Sequence, residues 1–471
     1  MLAFSVRALA LAVVPKLGPR FVQSLQQKRL KSLVRLAVER SPHFRKKYQG
    51  IELSRLSLTD LPPSNKAELM ANFDSVVTDR RLKRAGIEQF IDNPENEGLR
   101  YLGQYIISHT SGSQGQPMLV VQQPRHLELL FSFQMTRGNL GKVGPAEAIR
   151  RLRQPERMAA ILLGKDFFPT ASTFQNMPVQ AQRYVKLRRF AQTDPRLVDA
   201  LNEYRPTIIT AYASVLESLA LEAQAGRLKL EPELRQLVSN SEVLTDRARA
   251  RIEGTFGIRV LNNYATGECT FLTTGCRQGR GAHVNADWVI LEVVDEKYQP
   301  VPNGTPGRKV LITNLANTVL PFIRYEIGDV ATMGVENCGC GNRFPRVEHI
   351  AGRDADAFWI NDGPGYRRVI SIVFSHAFEF LREVREWQAI QTERNRVEVR
   401  LELIPGASYD PERTRHLIHR ELSEHGYQGL LEVEVKVVPR LLPDPKTGKF
   451  QRMISRVGLP DDPARVAAAI G

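Results

Sequence analysis

Cysteine is scarce in this 471-residue chain, with four in all: Cys269, Cys276, Cys338 and Cys340. That is too few for a secreted fold stapled by disulfides, and their clustering points to metal binding or packing instead. Long apolar runs are also missing. The stretch from Met1 to Val14 is apolar except for Ser5 and Arg7, which is too short to span a bilayer. As a secretory signal it has a poor basic start, and Arg7 interrupts it. Internal repeats and low-complexity tracts are absent, which excludes solenoids and fibrous classes. Any excess of basic charge over acidic is nearly absent from the body. Residues 1–50 hold eleven Lys/Arg against the single acid Glu39, which is +10 of a net +14. The rest of the chain is therefore no basic nucleic-acid surface, and basic and aromatic residues do not interleave there. No nucleic acid is expected as a partner, and a cytoplasmic location is.

What is present describes a globular protein of two or three domains, with 42% apolar and 25% charged residues. In the basic segment, Leu25, Leu30, Leu33, Val34 and Ala37 fall at helical spacing. The plain reading is a helix packed on the domain with a solvated basic face. The second reading is peripheral contact with a membrane of anionic lipid, which makes the protein membrane-associated. Residues 21–50 and 65–95 read as helical, with Pro62-Pro63-Ser64 between them. Residues 101–108 and 118–121 read as strands, and His126 to Leu140 as an amphipathic helix. From 158 onward, a strand at 159–163, a helical 177–204, a strand at 206–212 and a helix at 214–225 suggest an α/β region with a parallel sheet. Segments 282–291, 288–294, 309–313 and 319–325 read as strands of an antiparallel part. The last hundred residues give a ferredoxin-like series, with strands 386–391, 396–403 and 431–437 and a helix at 411–424.

Between the first two strands lies Thr110-Ser111-Gly112-Ser113-Gln114-Gly115-Gln116-Pro117. Its small and hydroxyl residues can wrap an oxyanion with backbone N–H groups and hydroxyls, and glycines at 112 and 115 permit close approach. A Walker phosphate loop needs Gly-Lys-[Ser/Thr] there, and Gln116-Pro117 breaks that pattern. A plain turn is the alternative. Tyr264-Ala265-Thr266-Gly267-Glu268 sets an acid among small residues, suited to Mg²⁺ at a nucleotide's phosphates, with Tyr264 beside the base; a loop with one acid is the bland alternative. In Phe322-Ile323-Arg324-Tyr325-Glu326-Ile327-Gly328-Asp329, a carboxylate at a strand end suits two ribose hydroxyls. Arg324 there faces either a phosphate or a local acid. Gly352-Arg353-Asp354-Ala355-Asp356 marks a domain border. Near the end, Lys446-Thr447-Gly448-Lys449-Phe450-Gln451-Arg452 offers a lysine on a glycine-containing loop, where a cation can neutralise charge developing between a carboxylate and a phosphate.

In this order the motifs resemble the adenylate-forming superfamily of acyl-CoA synthetases and ligases, in its phenylacetate–CoA ligase and CapK-like branch. The matches are Ser111–Pro117, Tyr264–Glu268, Tyr325–Asp329, Gly352–Asp356 and Gly448–Arg452, with softer ones at Tyr212-Ala213-Ser214 and Ser241-Glu242-Val243-Leu244. Gln116, Gly267 and Ala355 depart from the usual Lys, Thr/Ser and Asp. The resemblance implies a mixed α/β protein, with a large adenylation domain over 1–352 and a small, mobile, ferredoxin-like domain over 353–471. It also implies the chemistry: a carboxylic acid attacks ATP to give an acyl-adenylate, which passes to coenzyme A. Lys449 then bridges carboxylate and α-phosphate, and Glu268 holds Mg²⁺. Asp329 holds the ribose, Thr110, Ser111 and Ser113 the phosphates, and Tyr264, Thr266, Gly112, Gly115 and Arg353 complete the nucleotide site. The acid is left open, as are an amine, hydroxyl or carrier-protein acceptor, a catalytically degenerate relative, and a homodimer. Cys276, His283, Cys338 and Cys340 meet the count and softness of a closed, structural zinc site, with Cys269 left to packing; a reduced buried pair is the alternative.

Overall fold

The computed structural model describes residues 10–110, 117–138, 154–162, 167–230, 232–336, 338–353, 357–363, 365–369, 373–374, 377–378, 381, 383–424, 426–444 and 450–457. The loop residues Ser111, Gly112, Ser113 and Gly115, the border residues Asp354–Asp356, and Lys449 lie outside them. The chain divides into two compact units, one of residues 1–327 with 331–349, the other of 328–330 with 350–471.

In the first unit the helix Pro19–Arg40 buries Leu30, Leu33, Val34 and Ala37, the apolar face read from the spacing. Its partners come from far along the chain. Gln26 Nε2 donates to the Val289 carbonyl at 3.0 Å, and the Arg29 guanidinium lies 3.5 Å from the centre of the Trp288 ring. The helix stops at Ser41, because Pro42 starts a new one, Pro42–Lys47, capped by the Ser41 hydroxyl. The expected helix over 65–95 is broken into Lys66–Ala71, Phe73–Val76 and Arg84–Asp92. Among the described residues no helix is long and apolar enough to cross a membrane.

A hairpin follows, β1 (Ile106–His109) antiparallel to β2 (Leu119–Gln122), then the helix Pro124–Arg137. The strand expected over 101–108 is shorter, since Leu102 and Gly103 turn the chain at φ +51° and +72°. The centre of the unit is a five-stranded parallel sheet of β3 (Glu156–Leu162), β4 (Val185–Ala191), β5 (Ile208–Ala211), β6 (Gln236–Asn240) and β7 (Val260–Asn263), in the order β4-β3-β5-β6-β7. β4 corrects the helix expected over 177–204. Lys186, Arg188 and Arg189 face solvent on an edge strand while Val185 and Phe190 are buried, and this basic face hid the strand. The helix Ala213–Gln224 packs on this sheet, and Leu216, Leu219, Ile209, Leu237 and Ile252 join one core.

Beyond it lie two small sheets. One holds β8 (Thr273–Gly275), β9 (Ala282–Val284), β13 (Asp329–Met333) and β14 (Arg346–Arg353), with β8–β9 and β9–β14 antiparallel; the other holds β10 (Val289–Val294), β11 (Lys309–Asn314) and β12 (Tyr325–Glu326), antiparallel throughout. The expected strand 282–291 is two strands, because Trp288 N and Val289 N both return to the Asn285 carbonyl and turn the chain. The expected strand 319–325 is irregular except at Tyr325. Asn317 Oδ1 accepts from Val319 N and Leu320 N, and Arg324 sits at φ +42°.

In the second unit β15 (Phe358–Asp362) and β16 (Gly365–Val369) form a hairpin. A four-stranded sheet follows, of β17 (Val384–Glu393), β18 (Arg396–Leu403), β19 (Glu432–Val438) and β20 (Met453–Ser455), in the order β19-β18-β17-β20. β17 and β18 are antiparallel and β18 and β19 parallel, joined by the helix Pro411–Glu424. Leu417, Ile418 and Leu422 of that helix share a core with Trp387, Val397 and Leu401. The strands and helix read from the sequence are all present. The fold is the mixed α/β class expected.

Candidate active site

The parallel sheet has a switch point. From β3 the chain moves outward to β4 and then returns across β3 to β5. In open α/β sheets the crevice beyond the carboxyl ends at such a point is where ligands bind. Tyr212 follows β5, Asn240 and Ser241 close and follow β6, and Tyr264 follows β7. Tyr212 is buried, and burial together with the negative charge of Glu242 pushes its hydroxyl up to about 12. Glu242 Oε2 accepts from Ser214 N at 3.0 Å, which satisfies one of the open N–H groups in the first turn of the helix Ala213–Gln224. The two softer motifs therefore meet in space.

Tyr264 is buried, and its backbone is held on both sides by Thr273: Tyr264 N donates to Thr273 Oγ1 at 2.9 Å, and that hydroxyl donates to the Tyr264 carbonyl at 2.8 Å. Thr266 and Cys269 then close a tight turn through paired backbone bonds of 3.3 and 3.1 Å, and Thr266 Oγ1 also accepts from Cys269 N. Gly267 sits at the crowded point of this turn. A Cβ there would stand 2.9 Å from Thr110 Cγ2 and 3.0 Å from Pro169 Cγ. The departure from Thr/Ser at 267 thus has a packing reason, and it brings the phosphate-type loop and the acidic loop into contact. Thr110 anchors the base of its loop through two bonds with Met118: its N–H to the Met118 carbonyl at 2.9 Å, and Met118 N to Thr110 Oγ1 at 3.0 Å.

Glu268 is 8% exposed. Tyr325 Oη donates to its Oε1 at 3.1 Å, and Asn314 Nδ2 donates to its backbone carbonyl at 2.9 Å. Among the described residues no Lys, Arg or His lies within ion-pair distance of this carboxylate. A buried carboxylate without a countercharge is costly, so the site suits a divalent cation that oxygen ligands would hold.

Asn314 and His126 were missed by sequence reasoning. Asn314 also donates to His126 Nε2 at 3.1 Å. Burial, and secondarily the charge of Arg125, drives the His126 pKa down to about 3, so the ring is a neutral acceptor. A polar residue closing an apolar strand, as Asn314 closes Val310-Leu311-Ile312-Thr313, was the signal available. Arg324 answers the choice left open by its motif: its guanidinium pairs with Glu292 at 3.0 and 3.1 Å and with the Leu61 carbonyl at 2.9 Å, a local acid and not a phosphate site. Asp329 is buried, but it opens β13 where a strand end was expected. Asp329 and Arg353 belong to the second unit.

A second constellation lies in the first unit. Cys276, His283, Cys338 and Cys340 place one ligand atom each within 4.8 Å of one another. Cys276 Sγ is 3.5 Å from Cys338 Sγ, and His283 Nε2 is 3.2 Å from Cys338 Sγ and 3.3 Å from Cys340 Sγ. Zinc bonds of about 2.3 Å to sulfur and 2.0–2.1 Å to nitrogen give tetrahedral edges of roughly 3.5–3.8 Å, so the cluster needs to open by only about 0.3 Å to take the ion, and the donor set fits. His283 Nδ1 bonds the Phe344 carbonyl at 3.0 Å, which fixes the tautomer and leaves Nε2 for the metal. Gly339 and Gly341, at φ +70° and +86°, make the knuckle that turns both sulfurs inward. The Cys276 thiol is held well below its ordinary range, first by the Cys340 thiol and then by His283, against the effect of burial. Cys269 is fully buried outside this group, and desolvation pushes its thiol up.

Comparison with known proteins agrees with this geometry. Residues 52–313 match the family of AMP-binding enzymes. The chain is 30% identical over 166 residues to phenylacetate-coenzyme A ligase of Thermus thermophilus, covering 34% of this chain and 37% of that protein. It is 25% identical over 165 residues to protein CapK of Staphylococcus aureus, covering 34% of each. The matched region thus spans about a third of the length of these curated relatives. In fold, the chain resembles 2-hydroxyisobutyryl-CoA ligase in its postadenylation state, with a TM-score of 0.67 at 18% identity, covering 92% of this chain and 89% of that one. A likeness to an anthranilate CoA ligase bound to anthranoyl-AMP has a TM-score of 0.54 at 17% identity, covering 74% and 65%. The motifs, the two-unit fold and the family match converge: the chain belongs to the AMP-binding enzymes, the adenylate-forming superfamily, in its phenylacetate–CoA ligase-like branch.

Proposed function

We propose that this protein activates a carboxylic acid with ATP, forming an acyl-adenylate and pyrophosphate, and transfers the acyl group to coenzyme A. The observation that carries the reading is Glu268, a buried carboxylate with no cationic partner among the described residues, on a loop packed against Thr110. Glu268 would hold Mg²⁺, which screens the phosphate charge when bound. The loop from Thr110 through Ser111 and Ser113 would supply N–H and hydroxyl donors to the β- and γ-phosphates. Tyr264 would border the base, and Asp329 would accept from the ribose hydroxyls. Lys449 would neutralise charge between the attacking carboxylate and the α-phosphate.

The second unit, rotating near 353–356, would then withdraw Lys449 and admit the thiol. Such a motion lets one site run two half-reactions while water is kept from the adenylate. The Cys276–His283–Cys338–Cys340 group would hold a structural zinc, since four protein ligands leave no open position.

The test is ATP-dependent pyrophosphate release across aromatic and aliphatic acids, with and without coenzyme A. Release that requires one acid and accelerates with coenzyme A supports the reading and names the acid. Release indifferent to coenzyme A reassigns the acceptor to an amine, hydroxyl or carrier thiol. Lys449→Ala should abolish adenylation while nucleotide still binds, and full adenylation in that variant would overturn the mechanism.

A further inference from the structure

The β11–β12 hairpin grips the Glu268 loop at two points. From the end of β11, Asn314 reaches the Glu268 carbonyl at 2.9 Å, and from β12 the Tyr325 hydroxyl reaches Glu268 Oε1 at 3.1 Å. One hold fixes the backbone and the other fixes the carboxylate. Because Oε1 accepts from Tyr325, the carboxylate cannot turn freely about its last torsion, and Oε2 is presented in one direction.

The grip is itself braced. Ile312 pairs with Tyr325 across the hairpin, Arg324 N donates to Thr313 Oγ1 at 2.9 Å, and Asn314 N donates to the Phe322 carbonyl at 2.9 Å. From outside the hairpin, Ser64 N donates to the Arg324 carbonyl at 3.0 Å and Glu326 N donates to the Ser64 carbonyl at 2.9 Å, so Tyr325 is bracketed on both sides by one residue of the early linker. The Arg324 guanidinium, held by Glu292 and the Leu61 carbonyl, ties the same linker down a second time. On the other side, Asn314 spends its remaining amide hydrogen on His126 Nε2 at 3.1 Å, and its Oδ1 accepts from Ala316 N at 3.2 Å and Asn317 N at 3.3 Å. With every polar atom of its amide engaged, Asn314 has one orientation.

We infer that Tyr325 and Asn314 are positioning residues for the metal-ligating carboxylate, Tyr325 aiming the Glu268 side chain and Asn314 setting the height of its peptide. This inference rests on the proposed role of Glu268. Groups that orient a metal ligand typically change metal affinity 10–100-fold when removed.

Tyr325→Phe is the informative variant. It deletes one oxygen and keeps the ring, which packs edge-on against Phe322 at 5.0 Å. Mn²⁺ is the probe, titrated into the full-length protein with saturating ATP and followed by its electron paramagnetic resonance signal, with thermal unfolding run in parallel to verify the fold. Glu268→Gln is the reference. The expected result is a strong loss of protein-dependent Mn²⁺ binding in Glu268→Gln and about a tenfold weakening in Tyr325→Phe. Asn314→Ala should weaken binding in the same direction. If Glu268→Gln binds Mn²⁺ as the parent does, the role of Glu268 falls and this inference with it. If Glu268→Gln loses the metal while folded Tyr325→Phe binds it unchanged, the positioning role alone is overturned.

Discussion

Removing one partner of the buried Arg137–Asp287 ion pair should destabilise the first unit severely. Both side chains are 1% exposed, and the pairing is bidentate, with Arg137 Nη1 2.9 Å from Asp287 Oδ1 and Nη2 2.7 Å from Oδ2. Arg137 also donates to Asn285 Oδ1 at 2.8 Å and to the Leu11 carbonyl at 3.3 Å, and its guanidinium lies 4.0 Å from the Phe133 ring centre. In Asp287→Ala the guanidinium keeps its dry surroundings and loses its countercharge, a change that costs about 3–5 kcal/mol. With a urea slope of about 3 kcal/mol per molar, the unfolding midpoint should fall by roughly 1–1.7 M. Urea titration followed by far-UV circular dichroism measures it. The double variant Arg137→Met/Asp287→Leu removes both charges and should recover most of the loss, because replacing a buried pair by apolar residues is often neutral. A midpoint shift below about 0.3 M in Asp287→Ala, the size expected of an exposed pair, would refute the reasoning.

Three further outcomes follow from the structure. His126 is neutral in the fold with a pKa near 3 against an unfolded value near 6.5, so the unfolded chain binds the extra proton and stability drops as the pH is lowered through that window. Between pH 6.5 and 5 the contribution is about 2 kcal/mol, and His126→Gln should flatten that part of the stability–pH profile; an unchanged slope would contradict it. Gly267→Ala puts a Cβ 2.9 Å from Thr110 and 3.0 Å from Pro169, an overpacking worth about 1–3 kcal/mol, and should raise the ATP KM severalfold; unchanged stability and KM would refute the contact. Metal analysis after dialysis against a weak chelator should find about one equivalent of zinc, as four ligands make one site, with Cys338→Ser losing it. Metal-free protein whose Cys276, Cys338 and Cys340 thiols react rapidly would end that assignment.

The sequence alone determined the fold class, the order of the motifs and the Cys/His residues that the fold gathers into one cluster. Each is written in local features: apolar periodicity, glycine-containing loops, and a Cys-Gly-Cys-Gly turn whose conformation needs glycine. It misjudged elements whose nature depends on distant neighbours. β4 is a strand because β3 lies beside it, although its own residues, with Lys186, Arg188 and Arg189, favour a solvated helix face equally well. Segment 319–325 is apolar enough for a strand, yet the Asn317 side chain takes up its backbone N–H groups. Only tertiary structure decided that Arg324 serves Glu292 and Leu61, that Gly267 is pressed between Thr110 and Pro169, and that Asn314, itself held by His126, and Tyr325 converge on Glu268. Those contacts join residues 32 to 263 positions apart. Hydrogen bonds act over about 3 Å, so nothing in a local pattern can report a partner that only folding brings within reach.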